Sequence, residues 1–145
     1  MEQLLHLNPE HEGILYMLDN VDAALESAIS SHEAGDLLVA GEKYLEILKV
    51  DPSHPDANHN FGLLCSKLGE PAMGVQFLRT AIETNPQVAG YWISIIDTLI
   101  EVKDVENAKI ALEKAKEVGH NDEVFEKLAA NIELLRNSKT ESEAV

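Results

Sequence analysis

The chain has 145 residues, 45% of them hydrophobic, enough for one domain or one short repeat array with a packed core. Its net charge is −15, from 11 Lys and Arg against 26 Asp and Glu, which argues against nucleic acid and anionic membrane surfaces as partners. A single cysteine, Cys65, excludes an internal disulfide and a cysteine-based zinc site.

Helix formers dominate and β-branched runs are short, so the expected fold class is all-α. No apolar run approaches the roughly 18 residues that span a bilayer. The N-terminus lacks the basic and long apolar regions of a secretory signal. With one cysteine, this suits a reducing compartment, and a cytoplasmic location is expected. The charge is uneven. No Lys or Arg precedes Lys43, while nine acidic residues do, from Glu2 to Glu42. That excess serves solubility, and it can also steer a basic partner.

Residues 1–20 read as a helical extension. Asn8-Pro9 has the form of a helix start, and Ile14, Leu15, Met17 and Leu18 form an apolar patch. From Val21 to Ala34, Val21, Ala24, Leu25, Ala28 and Ile29 recur at helical spacing. Gly35-Asp36 ends that helix, with Asp36 placed to cap the next. A second helix, Leu37 to Val50, stops at Asp51-Pro52. Pro55 to Leu68 and Pro71 to about Thr84 form the next pair, separated by Gly69 and closed by Asn85-Pro86. A third pair spans Val88 to about Val102 and Asp104 to Val118, and a last helix runs from about Asp122 to Arg136. Residues 137–145 are polar without a helical stripe and read as a disordered tail.

Pro52 and Pro86 are 34 residues apart, and the same step relates other positions. Ala40 maps to Gly74 and Ala108, Tyr44 to Leu78 and Leu112, Ile47 to Ala81 and Ala115. Small residues recur where two helices must approach, and large apolar ones where a gap is filled. A fixed period of this length is the mark of a stacked repeat array. The units are 21–54, 55–88 and 89–122, with residues 123–136 as a cap over the exposed apolar end.

The central unit carries Phe61-Gly62, Gly74, Leu78, Ala81 and Pro86; the first Ala28, Ala40, Tyr44, Ile47 and Pro52; the third Trp92, Ala108, Leu112 and Ala115. As a set these resemble the tetratricopeptide repeat family, over roughly Val21 to Asp122. The resemblance implies a right-handed α-solenoid of antiparallel helix pairs that binds proteins, without catalysis of its own. The third unit departs from the pattern. Ile96 stands at the Gly62 position, which should spread that pair; Lys103 replaces the turn glycine, and His120 the closing proline.

In that family the first helices of successive repeats line a concave groove where ligands bind. Carried over, the first unit presents Asp22, Leu25, Glu26, Ile29, His32 and Glu33. The second presents Asp56, His59, Asn60, Leu63, Ser66 and Lys67, and the third Ile93, Ser94, Asp97, Ile100 and Glu101. The partner-binding candidates are Leu25, Glu26, Ile29, His59, Asn60, Leu63, Lys67, Ile93, Asp97 and Ile100. Each also reads as an ordinary position on a solvated face. Together, a partly apolar floor and an acidic rim suit an extended or helical peptide with apolar anchors and basic flanks. Family members that clamp a C-terminal carboxylate need groove cations and asparagines, which only Lys67 and Asn60 approximate here. The apolar N-terminal residues can cap the first repeat, fill the groove or pair with a second chain, and capping is the preferred reading.

Catalytic and metal motifs are absent. None of the six histidines forms a His-Glu-x-x-His pair, and surface positions are expected for them. Cys65 reads as a buried structural thiol and Trp92 as a packing residue, and no cofactor is expected. Two alternatives to a peptide-binding module remain. The run Pro-Asp-Ala-Asn-His-Asn-Phe-Gly-Leu-Leu is similar to repeat arrays that precede bacterial glycosyl- or sulfotransferase domains. The other is a self-assembling scaffold.

Overall fold

The computed structural model describes residues 20–144, with side chains through Lys139. The expected extension over the first twenty residues therefore lies, apart from Asn20, outside the described residues. The described residues form seven helices: α1 (Val21–Glu33), α2 (Leu37–Val50), α3 (Pro55–Lys67), α4 (Pro71–Thr84), α5 (Ala89–Glu101), α6 (Val105–Val118) and α7 (Glu123–Ala144). Consecutive helices pack as pairs, α1 with α2, α3 with α4 and α5 with α6, and α7 covers the last pair.

The boundaries follow from local chemistry. Pro55 and Pro71 open α3 and α4, where a missing N–H costs nothing. His54 and Asp104 cap α3 and α6 by accepting hydrogen bonds from Ala57 N and Asn107 N, each at 3.1 Å. Asp36 precedes α2 without a side-chain cap bond, contrary to expectation. The turns within pairs share one design. Asp36, Glu70 and Asp104 each donate a backbone N–H to the carbonyl five residues earlier, at Ser31, Cys65 and Leu99. That closure needs a left-handed residue just before the donor. Gly35 and Gly69 supply it, and Lys103 does so with φ 62°.

Each pair crosses where its small residues meet. A Cβ added at Gly74 would lie 2.5 Å from the Gly62 carbonyl oxygen, so α3 and α4 touch backbone to backbone. The first pair has Ala28 and Ala40 at these positions, and the third has Ile96 and Ala108, all fully buried. Packing is closest in the second pair, intermediate in the first and loosest in the third. The order follows the size of the crossing residues, and the spreading expected at Ile96 is present.

The core is divided. Tyr44 and Leu64 anchor an N-terminal cluster with Ala28 and Ala40, flanked by Leu25, Ile29, Leu37 and Phe61. A larger C-terminal cluster joins α4, α5 and α6 to Phe125, Leu128 and Ile132 of α7. His120, in place of the closing proline, links these elements. Its Nε2 donates to the Pro86 carbonyl at 3.1 Å, an oxygen that Trp92 Nε1 also engages at 2.8 Å. Its ring stacks on Phe125. At the N-terminal end, Ser27 and Ser31 occupy positions that carry Phe61 and Cys65, then Ile95 and Leu99, in the following units. Lys43 Nζ donates to both hydroxyls, at 2.8 and 2.9 Å.

α7 continues to Ala144, through the stretch 137–144 that reads from the sequence as a tail. The lost apolar stripe marks where α7 leaves the packed surface, not where it stops being helical. Once a helix is nucleated, each added residue gains one hydrogen bond, and Glu, Lys and Ala propagate it without tertiary support.

Two stability predictions result. Lys103→Gly removes the cost of a left-handed side chain, about 1 kcal/mol, and should raise the melting temperature by about 3 °C; an unchanged or lower value would contradict the strain. Gly74→Ala should destabilise by about 1–3 kcal/mol through overpacking. At Gly90 a Cβ meets nothing within 4 Å, and Gly90→Ala should stabilise by about 0.5 kcal/mol. Urea unfolding of both variants tests this opposition of sign.

Candidate functional site

The first helices of the pairs, α1, α3, α5 and then α7, abut one another in series, while α2, α4 and α6 do not. This asymmetry curves the array. It sets α1, α3 and α5 side by side on the inner surface, where most of the candidate residues lie at intermediate exposure. Leu25 and Ile29 on α1, Asn60 and Leu63 on α3, and Ile93 and Ile100 on α5 are all half-buried. Glu26, Lys67 and Asp97 are exposed around them. Asp22, Glu33, Asp56 and Glu101 are exposed as well, and Lys67 is the one Lys or Arg among the groove positions. The surface is an apolar floor with an acidic rim.

His59 is half-buried and tied to the next repeat. Its Nε2 lies 2.7 Å from Ser94 Oγ, and its ring rests against Tyr91 with centroids 4.9 Å apart. Tyr91 in turn donates its hydroxyl hydrogen to Asp56 Oδ1. Asp56 with Tyr91 and His59 with Ser94 thus form two polar ties between α3 and α5. Burial, and next the Asp56 bond, push the Tyr91 phenol well above its ordinary range. Burial lowers the His59 pKa below the ordinary 6.5, against the opposing pull of Asp56. Burial likewise raises the Asp97 carboxyl above its ordinary value.

His32 does not stand on the rim. It is buried, and its Nδ1 lies 3.0 Å from the hydroxyl of Tyr44. Its Nε2 and the Ser66 Oγ, one repeat apart, are buried with no hydrogen-bond partner among the described residues. Desolvation, then the nearby Lys67 charge, lower the His32 pKa, while burial pushes the Tyr44 phenol up to about 12.

The described histidines are therefore not free surface groups as expected. His32 and His59 are held in the inner layer, His54 caps α3 and His120 binds the Pro86 carbonyl. The ties at Asp56–Tyr91 and His59–Ser94 escaped the sequence reading. Their signal was a pair of polar partners each 35 residues apart, one repeat plus one residue. Cys65 is buried, and its thiol pKa is raised by desolvation, as a structural cysteine requires. No group of three His, Cys, Asp or Glu side chains suited to a metal occurs among the described residues.

Comparison with known proteins fits this geometry. A family model described as tetratricopeptide repeat matches residues 55–88, the unit with the closest helix crossing. Residues 55–88 are a tetratricopeptide repeat, and the helix pairs on either side continue the same tetratricopeptide-like array. No curated protein matches its sequence. Among solved structures, the repeat array is similar to an O-GlcNAc transferase of Thermobaculum terrenum, at 25% identity and TM-score 0.63. That match covers 70% of this chain but 20% of the transferase, so the chain spans about a fifth of that relative's length. The Yersinia enterocolitica type III secretion chaperone SycD, in complex with a peptide of the translocator YopD, matches over 83% of this chain and 95% of its own, at 13% identity and TM-score 0.71. The TPR2B domain of yeast Sti1, in complex with pHsp70, matches over 78% and 95%, at 19% identity and TM-score 0.70. These two likenesses are of fold.

A pH prediction follows from the two inner histidines. Both resist protonation in the folded chain, whereas the unfolded chain binds protons from about 6.5 downward. Acidification from pH 7 toward 5.5 should therefore lower the unfolding free energy. In His59→Gln that loss should be smaller. An identical pH slope in wild type and variant, measured by urea titration, would contradict this assignment.

Proposed function

We propose that this tetratricopeptide-like array is an interaction module, working in the cytoplasm, whose groove binds an extended or helical segment of a partner protein. The observation that carries the reading is the row of half-exposed apolar side chains, Leu25, Ile29, Leu63, Ile93 and Ile100, running across three adjoining helices beneath an acidic rim. A row of that kind can bury apolar anchors, and Glu26 and Asp97 favour a segment with basic flanks. Asn60 and Lys67 supply polar contacts to its backbone, and His59 adds the edge of a ring already held in place. A preformed groove lowers the ordering cost of binding, since its walls are fixed before the ligand arrives. Solved relatives in complex with a translocator peptide and with pHsp70 support the use of this fold for segment binding. The rim here favours different ligand chemistry from a carboxylate clamp, because Lys67 stands alone among acids.

A second reading is that the array belongs to a longer sugar-transferring enzyme and presents substrates to it. The 25% identity to the Thermobaculum terrenum transferase favours it. The coding sequence flanking these 145 residues tests it: a contiguous transferase domain would support the reading, and a stop codon at both ends would remove it.

Binding of blocked peptides, with paired leucines and either lysine or glutamate flanks, tests the groove by fluorescence anisotropy. The lysine-flanked peptide should bind more tightly and lose affinity with added salt. Leu63→Glu should weaken it by about tenfold or more, a loss of about 1.4 kcal/mol, with the helical circular dichroism unchanged. Equal affinity in a folded Leu63→Glu protein would exclude the groove as the binding surface.

A further inference from the structure

A cleft of about 560 Å³ opens away from the groove and shares none of its candidate residues. Trp92, Ile95 and Leu99 of α5, Ile82 of α4, and Ile110 and Ala111 of α6 supply its apolar lining. The repeat explains why it is open here. Between α3 and α4, Phe77 packs edge-on against Phe61, with ring centroids 4.7 Å apart. One repeat later the residues in those places are Ala111 and Ile95. The aromatic pair that fills the earlier junction is missing, and space over the indole of Trp92 remains. Trp92 cannot swing in to fill it, because Nε1 is held by the Pro86 carbonyl.

The walls carry charge in ranks. Arg79 of α4 and Lys114 of α6 line the cleft, and about one turn further on in each helix so do Glu83 and Glu117. Glu83 and Glu117 are 34 residues apart, one unit, and Arg79 and Lys114 are 35 apart. None of the four forms an ion pair among the described residues, where the pairs are Lys49–Glu46, Lys127–Glu123 and Arg136–Glu133. Two cations and two carboxylates thus flank an apolar pocket with their charges uncommitted.

We propose that this cleft is a second binding site, taking a phenylalanine-sized aromatic side chain from a partner segment that carries an acidic residue on one side of that anchor and a basic residue on the other. The volume is in the range of small-ligand sites, about 300–1,000 Å³. An aromatic ring over Trp92 restores the kind of contact that Phe77 makes with Phe61. The acidic flank meets Arg79 and Lys114, and the basic flank meets Glu83 and Glu117. This chain's own residues 1–19 contain no Lys or Arg, so they cannot supply the basic flank, and the occupant is a partner. The site is independent of the groove reading.

The blocked tripeptide Ac-Glu-Phe-Lys-amide is the probe. Its binding is read by methyl NMR of Ile82, Ile95 and Ile110 and by fluorescence of Trp92, the chain's single tryptophan. Saturable shifts at those methyls, with a Kd of about 1 mM or tighter, are expected. Ac-Glu-Ala-Lys-amide should bind about tenfold more weakly, and Ac-Lys-Phe-Lys-amide and Ac-Glu-Phe-Glu-amide about threefold more weakly. Ala111→Phe should abolish the shifts by filling the pocket, and Leu63→Glu should leave them intact. Absence of saturable shifts, or equal binding of the alanine peptide, would overturn the proposal. So would undiminished binding by a folded Ala111→Phe protein. If that variant fails to fold, the peptide series on the unaltered chain decides the matter.

Discussion

Two helices can cross with their backbones in contact only where neither carries a side chain, and Gly62 and Gly74 meet that condition. Much of the array's shape depends on this crossing and its relatives in the other pairs. Residue size there sets how deeply each second helix beds against its first. That setting fixes where α1, α3 and α5 stand, and hence the width and floor of the groove. Ile96 in the third pair lifts the crossing, and its fully buried side chain occupies the room it makes. Interiors packed near crystal density register such steps even at one methylene.

The inner layer combines this packing rule with polar ties. Apolar side chains give the groove its capacity for burial, but they do not orient one helix against the next. The Tyr91–Asp56 and His59–Ser94 bonds do so, because each has directional geometry and bridges successive repeats. These ties lie on the same two helices as the half-exposed Leu63 and Ile93.

Repetition also explains irregularity. Where a residue type changes at a repeated position, the geometry it served changes too. Lys103 keeps the turn made by Gly35 and Gly69 and bears the strain itself. His120 gives up proline's rigidity and gains a hydrogen bond to the preceding unit's Pro86. Ala111 leaves open the junction that Phe77 fills one repeat earlier, exposing a pocket above Trp92. Variation within the repeat separates one face of this array from another.

The sequence by itself determined the helices, their pairing and the repeat, because proline and glycine stops and a 34-residue step in side-chain size are local signals that survive without coordinates. The reading of Leu25, Ile29, Leu63, Ile93 and Ile100 as one apolar groove floor came from the resemblance to tetratricopeptide repeats, since spacing sets a face on one helix but not how faces of different helices adjoin. The histidines were beyond the sequence. Whether His32 meets Tyr44 or His59 meets Ser94 depends on which side chains the superhelix brings together, and no property of histidine in isolation predicts that. The extent of α7 was hidden for a related reason: a helix leaving the packed surface loses its apolar stripe before it loses its hydrogen bonds. Only the tertiary structure decided these points, because burial and partnership belong to the space between elements, while periodicity belongs to the element itself.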